Sequence, residues 1–127
     1  LRYQFLMRIW NKMKVNCLFC DIILKKIPSE IVYENKYVLA FNDINPQAPI
    51  HILIIPKIHI STLNDLKKSD NELMGELIKA SSVIAKRNGI HNDGYRTVFN
   101  CNEDAGQTVF HIHLHLLAGR KLNWPPG

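Results

Sequence analysis

The seven residues His111-Ile112-His113-Leu114-His115-Leu116-Leu117 (HIHLHLL) decide how the rest of the chain is read. Strict alternation of polar and apolar residues has the period of a β-strand, in which residues i, i+2 and i+4 share a face. Three imidazoles then stand in a row, successive ones about 6.5–7 Å apart. Ile112, Leu114 and Leu116 face the other way and suit packing beneath a helix. Three of the chain's six histidines fall within five residues, which packing alone does not explain. The row is therefore a candidate for chemistry, and spacing leaves two kinds open. Histidines at i and i+2 on a strand can both bind zinc or iron, although the nearby carboxylates are only Glu103 and Asp104. Without a metal, imidazole is a nucleophile near neutral pH and a neighbouring imidazole can move its proton.

Working outward, the strand holding the row is expected over Val109–Leu117, with another near Tyr95–Asn100 and a polar loop, Cys101–Thr108, between them. Upstream, the segment 69–88 is the clearest helix. Leu73, Leu77, Ala80 and Ile84 repeat on one face, Ser69 and Glu72 have the spacing of a capping box, and Gly89 supplies a stop. His51–Ile55 (HILII), closed by Pro56, has the continuous apolar character of a buried strand. Val32–Tyr33 and Tyr37–Phe41 flank Glu34-Asn35-Lys36 as a hairpin. Residues 20–27 carry Ile22, Ile23 and Ile27 near helical spacing, and Pro28 ends that element. Strands in two groups, each preceded by a helix, give an α+β domain with an antiparallel meander.

Length and charge bound the function. At 127 residues, 46% hydrophobic and 21% charged, the chain suits one globular domain. The net charge of +5 is concentrated in residues 1–16, where Arg2, Arg8, Lys12 and Lys14 give +4; the remainder carries +1. A nearly neutral body lacks the basic footprint of a nucleic-acid binder. No apolar run approaches the roughly 20 residues of a membrane span. Residues 1–16 lack the uninterrupted apolar stretch of a secretory signal and are read as an N-terminal tail or extension, in preference to an organellar presequence, with the domain at 17–127. The odd cysteine count (Cys17, Cys20, Cys101) argues for a reducing, cytoplasmic setting. Cys17-Leu18-Phe19-Cys20 has the CxxC spacing that can clamp zinc, a weak signal alone. Cys101 is expected to be buried and unpaired.

The HIHLHLL string resembles the histidine triad motif, His-φ-His-φ-His-φ-φ with φ apolar. Asp43–Pro49 (DINPQAP), His51–His59 (HILIIPKIH) and Trp124–Gly127 (WPPG) are similar to the Hint branch of that family, the histidine triad nucleotide-binding proteins. The resemblance covers about residues 17–127. It implies a five-stranded antiparallel meander with one long and one short helix, two such sheets being joined across a homodimer. It implies hydrolysis of purine nucleoside phosphoramidates and acyl adenylates at the P–N bond or its acyl counterpart. His113 would be the nucleophile that forms a nucleotidyl-histidine, and His115 would contact phosphate and move a proton. His51 would stand beside His115, and His111 would support the nucleophile.

By the same resemblance, Gly106, Gln107 and Thr108 form a phosphate-contacting loop, with Thr108 replacing the commoner serine. Asp43 binds the ribose, and Phe19, Ile22, Phe41 and Ile44 wall the base. Asn100 is a polar contact near the phosphate, and Trp124 approaches the partner subunit's site. Related proteins with the cysteine pair bind structural zinc, and the matching ligands are Cys17, Cys20, His59 and His111; the chemistry itself requires no metal. The rival functions are a nucleotide-binding regulatory protein with little turnover, a dinucleoside polyphosphate hydrolase, and a metallohydrolase built on the triad.

Overall fold

A computed structural model describes residues 12–127; most of the N-terminal extension, residues 1–11, lies outside the described residues. The elements are α1 (Leu18–Ile23), β1 (Ile31–Glu34), β2 (Val38–Asn42), β3 (Ile50–Pro56), α2 (Asn71–Arg87), β4 (Arg96–Phe99) and β5 (Leu114–Ala118). All strand pairs are antiparallel, and the order across the sheet is β1-β2-β3-β5-β4. The chain thus meanders through β1 to β3, crosses by way of α2, and inserts its last strand beside β3. That insertion sets His115 against Leu53 and His51 against Leu117, bringing two distant histidine segments onto adjacent strands.

Both faces of the sheet are covered. Val38 and Ala40 of β2, Ile52 and Ile54 of β3, and Leu114 and Leu116 of β5 pack with Leu77, Ala80 and Ile84 of α2, and Ile112 joins them. The alternate residues, Leu39, Phe41, Leu53 and Ile55, pack with Cys17, Phe19, Cys20, Ile22 and Ile23 at the N-terminal helix. A sheet buried on both faces reads as a continuous apolar run, which is why HILII carries no alternation.

The helices differ from expectation at their starts. The spacing of Ser69 and Glu72 predicts a capping box, but Ser69 lies inside a 3-10 turn, Lys68–Asp70. Asp70 supplies the local bond there, accepting from the Lys67 N–H at 2.8 Å. Helix α2 then begins at Asn71 with no side-chain cap. Its end is as predicted. Gly89, at φ +68°, donates to the Lys86 carbonyl and Ile90 donates to Ala85, a Schellman closure that requires the left-handed conformation. Helix α1 spans Leu18–Ile23 rather than 20–27: Cys17 caps it, accepting from the Cys20 N–H at 3.5 Å, and Lys25 at φ +60° breaks it. In the β1–β2 turn, Asn35 Oδ1 accepts from the N–H groups of Tyr37 and Val38.

The histidine row is only partly strand. Beta-ladder pairing on β3 ends at Ile54 opposite Leu114; two positions on, the register would set Pro56 against Ile112, and proline has no N–H to give. Ile112 instead donates to the Ile60 carbonyl at 2.7 Å. His111 and His113 therefore precede β5, yet the alternation of faces persists. Among the described residues no helix is long and apolar enough to cross a membrane.

Candidate active site and candidate metal centre

Two histidines of the row, His111 and His113, have their tautomers set by main-chain carbonyls. His113 Nδ1 lies 2.8 Å from the His111 carbonyl oxygen, which can only accept, so Nδ1 carries the proton. The neutral ring then bears its lone pair on Nε2. Burial pushes His113 below the usual imidazole range, against the opposing pull of the His111 carbonyl and the Asp43 charge. The ring is held neutral, with an unprotonated Nε2, and lines a cavity.

His51 and His115 form a second pair. The Gln47 N–H donates to His51 Nδ1 at 3.0 Å, so His51 carries its proton on Nε2, which lies 2.9 Å from His115 Nδ1. His51 donates across that contact, and His115 is left with its own proton on Nε2. Asp43 Oδ2 stands 3.4 Å from His51 Nε2. Burial pushes His51 down, against Asp43. His115 falls to about 4, chiefly through burial and then through the neighbouring His113 and His51. Main-chain donor, ring and ring thus pass one proton orientation from Gln47 to His115.

The cavity beside these rings encloses about 600 Å³, ample for a small ligand. Eight of the sequence-derived residues line it: Phe19, Ile22, Phe41, Asp43, Ile44, Thr108, His113 and His115. Phe19 stands edge-on to both Phe41 (5.5 Å) and His113 (5.1 Å). Asp43 keeps a carboxylate in the cavity wall while its Oδ1 accepts from the Asn45 N–H at 2.9 Å. His51 and His111 stand behind the lining rather than in it.

Four nucleotide-site expectations also fall outside that lining: Asn100, Gly106, Gln107 and Trp124. Gln107 is buried, and its side chain braces the loop, donating to Ser61 O (2.8 Å) and Val109 O (3.1 Å) and accepting from the Asn102 N–H (2.8 Å). These contacts brace the loop that carries Thr108. Gly106 takes φ +88° at the end of the 3-10 turn 103–105, a backbone need. Asn100 follows β4. Trp124 is 82% exposed, on a tail tied to β4 by the Arg96 guanidinium, which donates to Asn123 O at 2.9 Å.

Some contributors had no side-chain signal in the sequence. Gln47 acts through its N–H, and its carbonyl accepts from Arg120 at 3.0 Å. Leu18, Ile27, Leu53 and Val109 add apolar wall, while Ser29, Glu30 and Asn42 make a polar end. Only the folded register brings these together.

Cys17, Cys20, His59 and His111 converge on the other side of Phe19, their ligand atoms within 4.8 Å of one another. His111 Nδ1 lies 3.5 Å from both sulfurs, and His59 Nδ1 lies 3.4 Å from Cys20 Sγ. The far nitrogens are tethered: His111 Nε2–H donates to Pro56 O at 3.0 Å, and His59 Nε2 pairs with the Ser61 hydroxyl at 3.1 Å. Backbone N–H groups of Lys14 and Cys20 point at Cys20 Sγ and Cys17 Sγ, at 3.3 and 3.5 Å. Two thiols, two imidazoles presenting Nδ1, and anchored second nitrogens fit a closed tetrahedral zinc site. Burial pushes the Cys20 thiol up to about 12 and His111 down to about 4. A dication is what would hold Cys20 as thiolate there. Lys12 and Lys14, read as part of the leader, belong to this neighbourhood: Lys12 O accepts from the His59 N–H at 2.8 Å. Cys101 is partly buried and free.

A second group of donors, Asp43, His51 and His115, also lies within 4.8 Å. Its members are already engaged with one another as described above.

Comparison with known proteins matches residues 24–122 to the family model of the HIT domain. The chain is 52% identical over 113 residues to a 14 kDa zinc-binding protein of Zea mays, covering 87% of both sequences. It is 50% identical over 105 residues to the purine nucleoside phosphoramidase of Escherichia coli (strain K12), covering 83% of this chain and 88% of that one. A crystal structure of a HIT family hydrolase from Legionella pneumophila Philadelphia 1 superposes with a TM-score of 0.87 at 53% identity. The match covers 88% of this chain and 100% of that one.

Proposed function

This chain belongs to the HIT domain family and is a hydrolase, and on that premise we propose that it splits the P–N bond of purine nucleoside phosphoramidates, and the corresponding bond of acyl adenylates, through a nucleotidyl-histidine. The observation that carries the reading is the set of hydrogen-bond contacts that orients the rings and fixes their tautomers. His113 has its proton on Nδ1, held by the His111 carbonyl, and His115 receives the His51 proton at Nδ1.

The chemistry follows from those positions. His113 Nε2 attacks the α-phosphorus as the bond to the leaving nitrogen breaks, and the departing amine takes the Nε2 proton of His115. Water then attacks the same phosphorus, returns a proton to His115, and releases the nucleoside monophosphate as the P–Nε2 bond breaks. Donors aimed at the phosphoryl oxygens supply much of the stabilisation in such transfers; Thr108, with the backbone of the Gly106–Thr108 loop, is assigned that role. Asp43 is assigned the ribose hydroxyls, and Phe19, Ile22, Phe41 and Ile44 the base. Asn100 is kept as a polar contact that a bound phosphate would draw in.

We assign Cys17, Cys20, His59 and His111 a structural zinc ion. It would fasten the N-terminal segment to the strand that carries the nucleophile and would supply no step of the reaction. The reading extends to a homodimer, supported by β4 standing at the end of the sheet beside the exposed Trp124.

Incubation with adenosine 5′-phosphoramidate, quenched and analysed by mass spectrometry, tests the proposal: a nucleotidyl adduct on His113 and release of AMP are expected. A second reading rests on Asp43, His51 and His115 as donors to a catalytic metal. It predicts a chelator-sensitive activity that persists when Cys17→Ser removes the other site's metal.

A further inference from the structure

The cavity has two chemically different ends, and we propose that the end away from the histidines reads the hydrogen-bonding edge of the nucleobase and favours guanine over adenine. The inference rests on the nucleotide reading of the site. Its residues are Glu30 and Asn42, with Ser29 beside them, all lining the cavity.

Sheet register supplies the distance. His115 on β5 pairs with Leu53 on β3, Leu53 with Phe41 on β2, and Phe41 with Ile31 on β1. Paired residues share a face, so these four form one row across the sheet. Strands lie about 4.8 Å apart, so the row runs about 14 Å from the phosphate end to β1. Phe41 and Leu53 occupy its middle, with Phe19 and Ile22 above them in the same apolar cluster, where a flat base is held by dispersion and not by hydrogen bonds. Ser29 and Glu30 immediately precede β1, at the far end of the row.

The polar groups there have a defined inventory. Glu30 and Asn42 are fastened side by side, because the Asn42 N–H donates to the Glu30 carbonyl at 3.1 Å. The Asn42 side-chain amide also donates to Glu30 Oε2 at 3.1 Å. A carboxylate only accepts, so this contact fixes which way the Asn42 amide is turned. What remains is chiefly acceptor capacity, on Glu30 Oε1 and Asn42 Oδ1, beside one N–H of the Asn42 amide. The Ser29 hydroxyl is buried and has no hydrogen-bond partner among the described residues.

An acceptor-rich end suits a base that presents donors. Guanine offers N1–H and the N2 amino group next to each other, which a carboxylate accepts as a pair. Adenine presents its N1 lone pair at the same place, opposed to the carboxylate charge. The rest of the base contact is apolar and indifferent to this difference, so Glu30 sets the preference. It is solvent-exposed, so the preference is modest, on the order of tenfold.

Calorimetric titration of the full chain with GMP, IMP and AMP tests this without depending on turnover. The expected order is GMP, then IMP, which keeps N1–H and lacks the amino group, then AMP. Glu30→Gln, whose amide can turn a donor toward adenine N1, brings GMP and AMP to within about twofold, with a thermal unfolding curve as the check on folding. Equal affinities in the wild-type chain, tighter AMP, or a preference untouched by Glu30→Gln would overturn the proposal. Base-selective binding without phosphoramidate cleavage would sink only the proposed hydrolysis; cleavage with no base preference would sink only this inference.

Discussion

The carbonyl oxygen of His111 accepts the Nδ1–H of His113 at 2.8 Å, while the His111 ring points its own Nδ1 at two cysteine sulfurs 3.5 Å away. One residue therefore serves the candidate metal centre with its side chain and the candidate nucleophile with its backbone. Each site's geometry constrains the other, and the following outcomes are expected.

His113→Ala removes the attacking nitrogen. Phosphoramidate hydrolysis is expected to fall by at least about 10³-fold, with no covalent nucleotidyl adduct in quenched samples. An adduct of wild-type abundance in the variant would place the nucleophile elsewhere.

His115→Ala removes a proton donor and not the nucleophile. Losses of about 10²–10⁴-fold are expected with an amine leaving group. They should shrink toward the wild-type rate with a leaving group acidic enough to depart as an anion. His51→Ala should show the same leaving-group dependence to a smaller degree, because it acts by orienting His115. Uniform losses across leaving groups would argue for ground-state binding instead.

Metal removal reads the Cys17–Cys20–His59–His111 cluster. Elemental analysis is expected to give one zinc per chain, abolished by Cys20→Ala. The metal-free protein should melt at least several degrees lower, since a structural ion's binding energy is also folding energy. Full metal content in the variant would overturn the ligand assignment.

Acidification should destabilise the protein partly through His115. Its folded value, pushed down to about 4, lies below its ordinary 6.5, so the unfolded chain binds more protons in that window. The stabilisation is complete above pH 6.5 and is lost as pH falls toward 4; a single group so shifted contributes up to about 3 kcal/mol. Denaturant unfolding at pH 7 and pH 4.5 is expected to show a smaller difference for His115→Gln than for wild type. Equal differences would mean the ring does not resist protonation.

Gly119→Ala tests the packing behind the site. At φ +93°, an added Cβ would meet the Pro49 ring at 2.8 Å. Backbone strain and overlap together are expected to cost about 1–4 kcal/mol, read as a lower denaturation midpoint. An unchanged midpoint would show that the Pro49 loop yields freely.

Legibility in the sequence followed the range of the interaction. The period-two alternation at 111–117 and the helical repeat of Leu77, Ala80 and Ile84 are local patterns, and both elements form there, although the strand begins only at Leu114. Where β5 begins was not local: Pro56, more than 50 positions earlier, withholds the N–H that would extend the ladder to Ile112. Ser69 and Glu72 had the right spacing for a cap, but Asp70 claimed the turn first. In the site, eight of the sixteen residues that line the cavity were named from motif resemblance. Gln107 was named too, yet its amide is engaged by Asn102, Val109 and the distant Ser61, which no linear pattern discloses. Glu30 and Asn42 carried no signal, since neither is unusual until the β1–β2 pairing sets them together.

The tautomers of His51, His111 and His113 are dictated by Gln47 N–H, Pro56 C=O and His111 C=O. All three are peptide groups, present whatever side chain those positions carry. The pattern of protons on the reactive rings is thus written in the path of the chain rather than in replaceable neighbours. A substitution at Gln47 or Pro56 that preserves the path, including loss of the glutamine amide altogether, leaves the imidazoles in the same state. Moving those protons without touching a histidine requires bending the backbone, so the points where the pattern is vulnerable are the turns and loop braces that hold it straight.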